Sequence, residues 1–265
     1  MVSFRRRVSS ALPGRLLAVA LFAASHLAAA GAITEAEALE GYLSRIDRST
    51  PGDTTVEMDI EANLSSLHKS AKMRMIRSVS RMGRSVFHTL ASEGDAMVRR
   101  EVIARFINAE AKAREVPDST VAITPANYRF LFRGETDYAG QSAYVYRLEP
   151  KHKRVGLFKG ELWLNAQTGA VLREWGEFAR SPSRFIKSVY FVRDYTEDGE
   201  PTRPSVPRRL ILNVSTRMFG RADVTVWFDK VASGSEAASA FNDAAPGSPA
   251  AVASREWTTA SVGGE

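Results

Sequence analysis

Short segments that alternate polar and apolar residues dominate the chain between Asn127 and Val231. A period of two is typical of strands with one buried face. Turn residues separate the segments at short intervals, which favours antiparallel pairing of consecutive strands. In this region the pattern predicts strands over residues 128–133, 143–149, 157–164, 170–178, 185–195, 209–218 and 222–231.

Two helices and three further strands are predicted upstream. Thr34 and Glu37 form a capping-box pattern before an apolar repeat of helical spacing. Asp95 is placed to cap a second helix, over 96–115. Alternation predicts the three strands, over 56–64, 69–82 and 86–91. The chain is therefore predicted to be mainly β (α+β), with a single curved antiparallel sheet and helices covering the concave face.

The first thirty residues have the three parts of a secretory signal peptide. Arg5–Arg7 and Arg15 are basic, residues 16–30 are apolar and rich in alanine, and Ala28 and Ala30 form a cleavage pattern. The alternative is a retained membrane anchor, but the apolar run is shorter than the roughly 20 residues that a span needs. We expect cleavage after residue 30 and a periplasmic mature chain.

Composition limits what the mature chain can bind. Residues 1–32 hold four arginines and no acid, which leaves 32 Lys and Arg against 30 Asp and Glu, so nucleic-acid binding is not expected. The chain has no cysteine, which excludes disulfides and thiolate zinc sites. Residues 232–265 are rich in Ala, Ser, Gly and Pro, and they are predicted to form a disordered tail after a domain over 31–231.

No enzyme motif is present. The sequence lacks a nucleophile elbow, a phosphate-binding loop and a His-based metal motif, so we predict no catalysis, no cofactor and no metal site. Glu174 and Glu177 are interpreted as surface charges. The basic run Lys151–Arg154 is interpreted as a solvated hairpin tip, with contact to anionic headgroups or another acidic surface as the alternative.

Aromatic residues are concentrated in the β-rich half, and alternation places them on both faces of the sheet. One interpretation is a plain aromatic core. The other is that a sheet too curved to be filled by its helices leaves an apolar cavity suited to an acyl chain.

Several of these segments resemble the outer-membrane lipoprotein-sorting proteins of the LolA/LolB-like superfamily. The resemblance is carried by 127–130, 144–151, 158–164, Gly176, Ser181-Pro182 and 189–191, with the helix at 98–110 before them. It implies an open, unclosed β-barrel of about eleven strands, with helices as a lid over an apolar cavity. The cavity-lining residues that it implies are Phe130, Phe158, Trp163 and Trp175. The chain departs from the family at Ser205-Val206-Pro207, where relatives often have an aromatic-Leu-Pro, and in its long tail.

Two functions remain open. The first is a monomeric, non-catalytic periplasmic protein that sequesters lipid or the acyl chains of lipoproteins. The alternative is a periplasmic sensor or interaction module that binds an envelope protein on the same scaffold.

Overall fold

The computed structural model describes residues 33–48, 53–80, 85–113, 115–196 and 207–233. Ten strands form one antiparallel sheet, in the order β3-β2-β1-β10-β9-β8-β7-β6-β5-β4. The strands are β1 (Thr54–Leu64), β2 (Lys69–Val79), β3 (Ser85–Gly94), β4 (Tyr128–Tyr138), β5 (Gln141–Pro150), β6 (Phe158–Asn165), β7 (Val171–Phe178), β8 (Ile186–Tyr195), β9 (Pro207–Thr216) and β10 (Arg221–Ser233). The edges β3 and β4 do not pair with each other, so the predicted fold class, an open, unclosed β-barrel, is confirmed.

Pairing between β1 and β10 joins two meanders into this sheet. Strands β1–β3 form one meander and β4–β10 the other, and Met58 lies opposite Phe228 where they meet. The chain leaves the first meander at edge β3 and enters the second at edge β4. The connection between the two edges carries most of the helical residues, which is how a helix comes to lie across one face.

The helices are few and short. They are α1 (Glu35–Arg48), α2 (Ala96–Val98), α3 (Ala104–Ala113) and α4 (Asp118–Val121), with a π-helical turn at Arg99–Ile103 joining α2 to α3. Ala38, Tyr42, Val98 and Ile103 from these segments are buried together with residues of the sheet in one hydrophobic core.

The structure differs from the sequence prediction at β4. The sequence predicts a strand over 128–133, before Gly134, but the strand continues to Tyr138. The ladder shifts its register between Phe132 and Gly134, and Gly134 has φ +128°. Such a φ is open to glycine and strained for other residues, so this glycine allows a bulge within the strand. The predicted signal peptide over 1–30 and tail residues 234–265 lie outside the described residues.

Candidate functional site

One face of the sheet, here called the covered face, is apolar and lies beneath the helices. Alternation in β1 places its side chains there, and cross-strand partners continue the layer to β4. Its buried apolar members include Val56, Met58, Ile60, Ala62, Leu64, Leu148, Phe158, Leu162, Leu164, Phe191, Leu210, Ala222, Val224, Val226 and Phe228.

Helix α1 is fixed to this face at its N-terminal end. Thr34 and Glu37 cap each other's backbone N–H groups, at 2.7 Å to Glu37 Oε2 and 3.2 Å to Thr34 Oγ1, so the predicted capping box is confirmed. The hydroxyl of Tyr144 donates to the Ile33 carbonyl at 2.8 Å, and that of Tyr146 donates to the Glu35 carbonyl. These bonds hold the start of α1 over β5.

The second helical segment is held by a cap and an ion pair. Asp95 accepts from the N–H groups of Met97 and Val98 at 2.8 and 3.1 Å, which confirms the predicted cap. In α3, the Glu110 carboxylate lies 3.3 Å from Nη1 of Arg77, a buried side chain of β2. The guanidinium of Arg77 also stacks over the Phe228 ring at 5.6 Å. The Arg77–Glu110 ion pair therefore holds α3 against the sheet among apolar side chains.

A polar cluster interrupts the apolar layer. Nη1 of Arg193 lies 3.1 Å from Oε2 of Glu174, and the guanidinium stacks on the Phe191 ring at 4.9 Å. Glu174 is only 6% exposed. The interpretation of Glu174 as a surface charge is therefore wrong, because it shares the inward parity of Leu172 and Gly176 in β7.

The cluster also includes Tyr195 and Tyr42, which interact electrostatically with Glu174 and Arg193. Burial and these charges fix the protonation states of its members. Burial by itself would lower the pKa of Arg193, but the charges of Glu174 and of Glu110 raise it above the ordinary value. Burial and the charge of Glu174 raise the pKa of Tyr195, and they raise the pKa of Tyr42 well above its usual range. At neutral pH the arginine is charged and both tyrosines are protonated, so they can donate hydrogen bonds.

The helices do not cover the apolar face of the sheet completely at β4. Phe132 lies against the rings of Tyr144 and Tyr146, at 5.9 and 5.6 Å between centroids, yet it is 47% exposed. Phe130, two residues earlier on the same side, is half-buried. The apolar layer thus extends past α1 to an accessible aromatic margin at the open edge.

The four residues implied as cavity lining do not share a face. Phe130 and Phe158 lie on the covered face, and Phe158 packs edge-to-face on Phe191 at 4.8 Å. Trp163 and Trp175 lie on the opposite, outer face, where their indole N–H groups both donate to Oε2 of Glu161, at 2.9 and 3.0 Å. Alternation alone fixes this difference, since Trp163 sits between Leu162 and Leu164.

Sequence reasoning missed the polar side chains of the layer between the covered face and the helices. Tyr42, Glu174, Arg193 and Tyr195 attracted no functional interpretation, because no motif joins them. The signal that could have found Arg193 is strand alternation. Arg193 follows Val189 and Phe191 at intervals of two residues, so all three lie on the same side of β8. A charge that continues an inward-facing apolar row is a candidate buried group.

Neither a metal site nor a helical membrane span is indicated by the described part of the chain. No three His, Cys, Asp or Glu side chains in that part are arranged to hold a metal ion. Within the same residues, no helix is both long and apolar enough to cross a membrane.

Comparison with known proteins gives similarity to solved structures alone. No family model matches the chain, and no curated protein matches it. A LolA superfamily protein from Nitrosomonas europaea is 14% identical, with TM-score 0.39, over 76% of this chain and 93% of that one. A putative outer membrane lipoprotein-sorting domain from Vibrio parahaemolyticus (9%, TM-score 0.38) and a DUF1329 family protein from Desulfovibrio piger (9%, TM-score 0.39) cover the same shares. Likeness of this degree transfers no ligand or partner to the chain.

Proposed function

We propose that the chain is a non-catalytic periplasmic protein that binds lipid, or the acyl chains of lipoproteins, against its covered face. The observation that carries the proposal is the apolar layer that runs from beneath the helices to the half-exposed Phe132. An acyl chain entering there gains about 0.8 kcal/mol for each methylene buried. Binding of this kind needs no reaction.

The proposed lining residues on this face are Phe130 and Phe158. Phe158 is fully buried against Phe191, so it would form the inner wall, while Phe130 lies nearer the margin. Contact of Trp163 and Trp175 with a ligand stays a prediction. Replacement of each tryptophan by phenylalanine tests it, because a ligand on the outer face would lose affinity in these variants and one on the covered face would not.

The test uses two adjacent residues that face opposite ways. Phe132 and Leu131 are 47% and 43% exposed, on the covered and outer faces respectively. Phe132→Glu should lower the affinity for a fluorescent fatty acid by about tenfold or more, which corresponds to about 1.4 kcal/mol. Leu131→Glu adds the same charge to the same strand and should leave the affinity unchanged.

Native mass spectrometry with lipid extraction gives the independent readout. Protein purified from the periplasm should carry phospholipid or acyl chains, and the Phe132→Glu variant should carry less. A bare mass for the wild-type chain, with no fatty-acid binding in solution, would rule the proposal out.

The alternative is an interaction module, and the free edge of β4 is the observation that favours it. Among the described strands, β4 (Tyr128–Tyr138) pairs with a neighbour on one side only, and Leu131 within it is exposed. A partner peptide could pair there as an added strand. Crosslinking from a photoreactive residue at Arg133, followed by identification of the captured partner, distinguishes this function from lipid binding.

A further inference from the structure

Four strand-to-strand connections meet at one end of the sheet. They are residues 65–68, 217–220, 179–185 and 151–157, here called the tip row. Ser66 Oγ donates to the Phe219 carbonyl at 2.7 Å, and the Arg217 N–H donates to the Phe185 carbonyl at 2.9 Å. The Ala179 N–H donates to the Leu157 carbonyl at 2.8 Å. Direct hydrogen bonds thus link the four connections into one continuous surface.

Each connection in the tip row exposes one large apolar side chain. These are Leu67 (43% exposed), Met218 (70%), Phe185 (50%) and Val155 (42%). Single exposed apolar side chains are common on folded proteins, whereas a group of them on hydrogen-bonded neighbouring connections marks an interaction surface. None of the four lies on the covered face, so they are separate from the layer proposed for acyl binding.

The same connections are strongly basic. Three Lys or Arg lie in 151–157, two in 179–185 and one in 217–220, with no Asp or Glu in any of the four connections. Among the described residues, none of these cations has a carboxylate within ion-pair distance, whereas many cations elsewhere do. Adjoining segments add acids. Asp118 begins α4, whose last residue Val121 lies beside Gly156, and Asp223 of β10 accepts a hydrogen bond from Ser65 Oγ at 3.4 Å. The two fully described connections at the opposite end, 139–140 and 166–170, contain no Lys or Arg.

A groove opens on the outer face directly behind the 151–157 connection. It has a volume of about 420 Å³, and Arg129, Lys153 and Lys159 line it together with Glu149 and Glu177. Its three cations outnumber its two carboxylates, so the groove adds a net positive charge of one beside the exposed tips.

We propose that the tip row is a docking surface for a lipid bilayer that carries anionic phospholipid headgroups. The cations would lie at the headgroup phosphates, and Leu67, Val155, Phe185 and Met218 would enter the interface between them. Charge complementarity selects this partner, because six cations with no ion pair to a described carboxylate lie among the four exposed apolar side chains. The proposal goes beyond ligand binding and does not depend on it, since the two surfaces do not overlap.

The test measures partition of the purified chain between buffer and vesicles. Vesicles of phosphatidylcholine alone are compared with vesicles containing about a quarter phosphatidylglycerol, at low and at high salt. Wild-type protein should bind the anionic vesicles at low salt and be released at about 1 M salt, where the screening length falls to about 3 Å. Lys153→Glu/Arg154→Glu/Arg180→Glu should weaken binding about a hundredfold, at about fivefold for each cation.

Matched variants separate the tip row from overall charge. Lys112→Glu/Arg133→Glu/Arg208→Glu makes the same change in net charge at exposed sites outside the tip row and should keep wild-type binding. Phe185→Ser/Met218→Ser should weaken binding about tenfold, while Val86→Ser/Leu131→Ser, at comparably exposed positions elsewhere, should not. Circular dichroism and thermal melts confirm folding of each variant.

Three results would overturn the proposal. They are equal partition of the wild-type chain into neutral and anionic vesicles, no binding to either, or an equal loss in the tip-row and control charge variants. The acyl-binding proposal survives any of them, because fatty-acid affinity is measured without vesicles.

Discussion

Asp194 shows how a single carboxylate organises the outer face. Arg173 Nε donates to it at 2.9 Å, Arg209 donates at 3.0 and 2.6 Å, and the Tyr138 hydroxyl donates at 2.9 Å. Burial alone would raise the pKa of Asp194, but the hydrogen bonds from Arg209 and Tyr138 and the charge of Arg173 lower it below its ordinary value. The carboxylate joins β4, β7, β8 and β9 on one side of the sheet.

Removing this charge should reduce stability in a pH-dependent way. Asp194→Asn should lower the free energy of unfolding by about 3 kcal/mol near neutral pH, because two arginines lose a buried partner. A lowered folded-state pKa stabilises the fold above the unfolded value of about 3.9, and this is lost as pH falls through the folded value. The difference between wild type and variant should therefore shrink below about pH 4. Urea melts across pH measure it, with the exposed Glu177→Gln as the control.

For individual residues, the sequence predicted which face of the sheet a side chain lies on better than it predicted what that side chain contacts. Alternation within the predicted strand 185–195 puts Val189 and Phe191 on one face and Tyr190 and Val192 on the other, and the structure places them so. It could not show that Glu174 and Arg193 meet across β7 and β8, because the pairing register depends on strands far apart in the chain. Phe158 and Trp163 are five positions apart in β6, and this odd separation places them on opposite faces of the sheet.

Two facing glycines let β6 and β7 approach closely beneath the aromatic core. Gly160 pairs with Gly176, and a Cβ on Gly160 would stand 1.9 Å from the Trp175 carbonyl oxygen. Rings of Phe158, Phe178 and Phe191 pack together in the same region. Because neither glycine has a Cβ atom, the rings can pack directly against the backbone here.

Adding a methyl group here should strain the sheet. Gly160→Ala should lower the free energy of unfolding by about 2–3 kcal/mol, because the backbone of β7 must move. Gly41→Ala in α1 makes the same chemical change where nothing lies within 4 Å, and it should stabilise the chain by about 0.5–1 kcal/mol. Chemical denaturation of both variants gives the comparison; destabilisation of equal size in both would contradict the steric reason.

Strands and helices were predicted better than individual side-chain roles or the whole sheet, because the sequence patterns that define them are local. Every described strand overlaps a predicted segment, and both capped helix starts were located correctly. The bulge at Gly134 was missed, since a lone glycine reads equally well as a turn or as an irregularity within a strand. The π-helical turn at Arg99–Ile103 was missed as well, because it has no sequence signature beyond the helical repeat.

At the scale of the whole molecule, β10 is the strand on which the sheet depends. It pairs with β1 along its length and with β9 on its other side, so among the described strands the β1–β10 ladder alone hydrogen-bonds one meander to the other. Local alternation favoured consecutive pairing and could not reveal this contact between the first and last strands.

Truncation of the chain after β10 and truncation before β10 should therefore have opposite effects on the cooperativity of thermal unfolding. A chain ending at Ser233 should keep a cooperative thermal melt, because the sheet is complete. A chain ending at Gly220 should lose it, because both meanders are left with exposed apolar edges. Differential scanning calorimetry distinguishes the two, and a folded shorter chain would show that β10 is dispensable.

The β1–β10 pairing also sets the order in which the chain can acquire its structure. Synthesis makes β1 early, whereas its partner β10 is made only after nearly all of the other described residues. Contacts so far apart in sequence form slowly, because a long loop must close before they contribute. The strand pairing that unites the two meanders therefore cannot form until the chain has been made as far as β10.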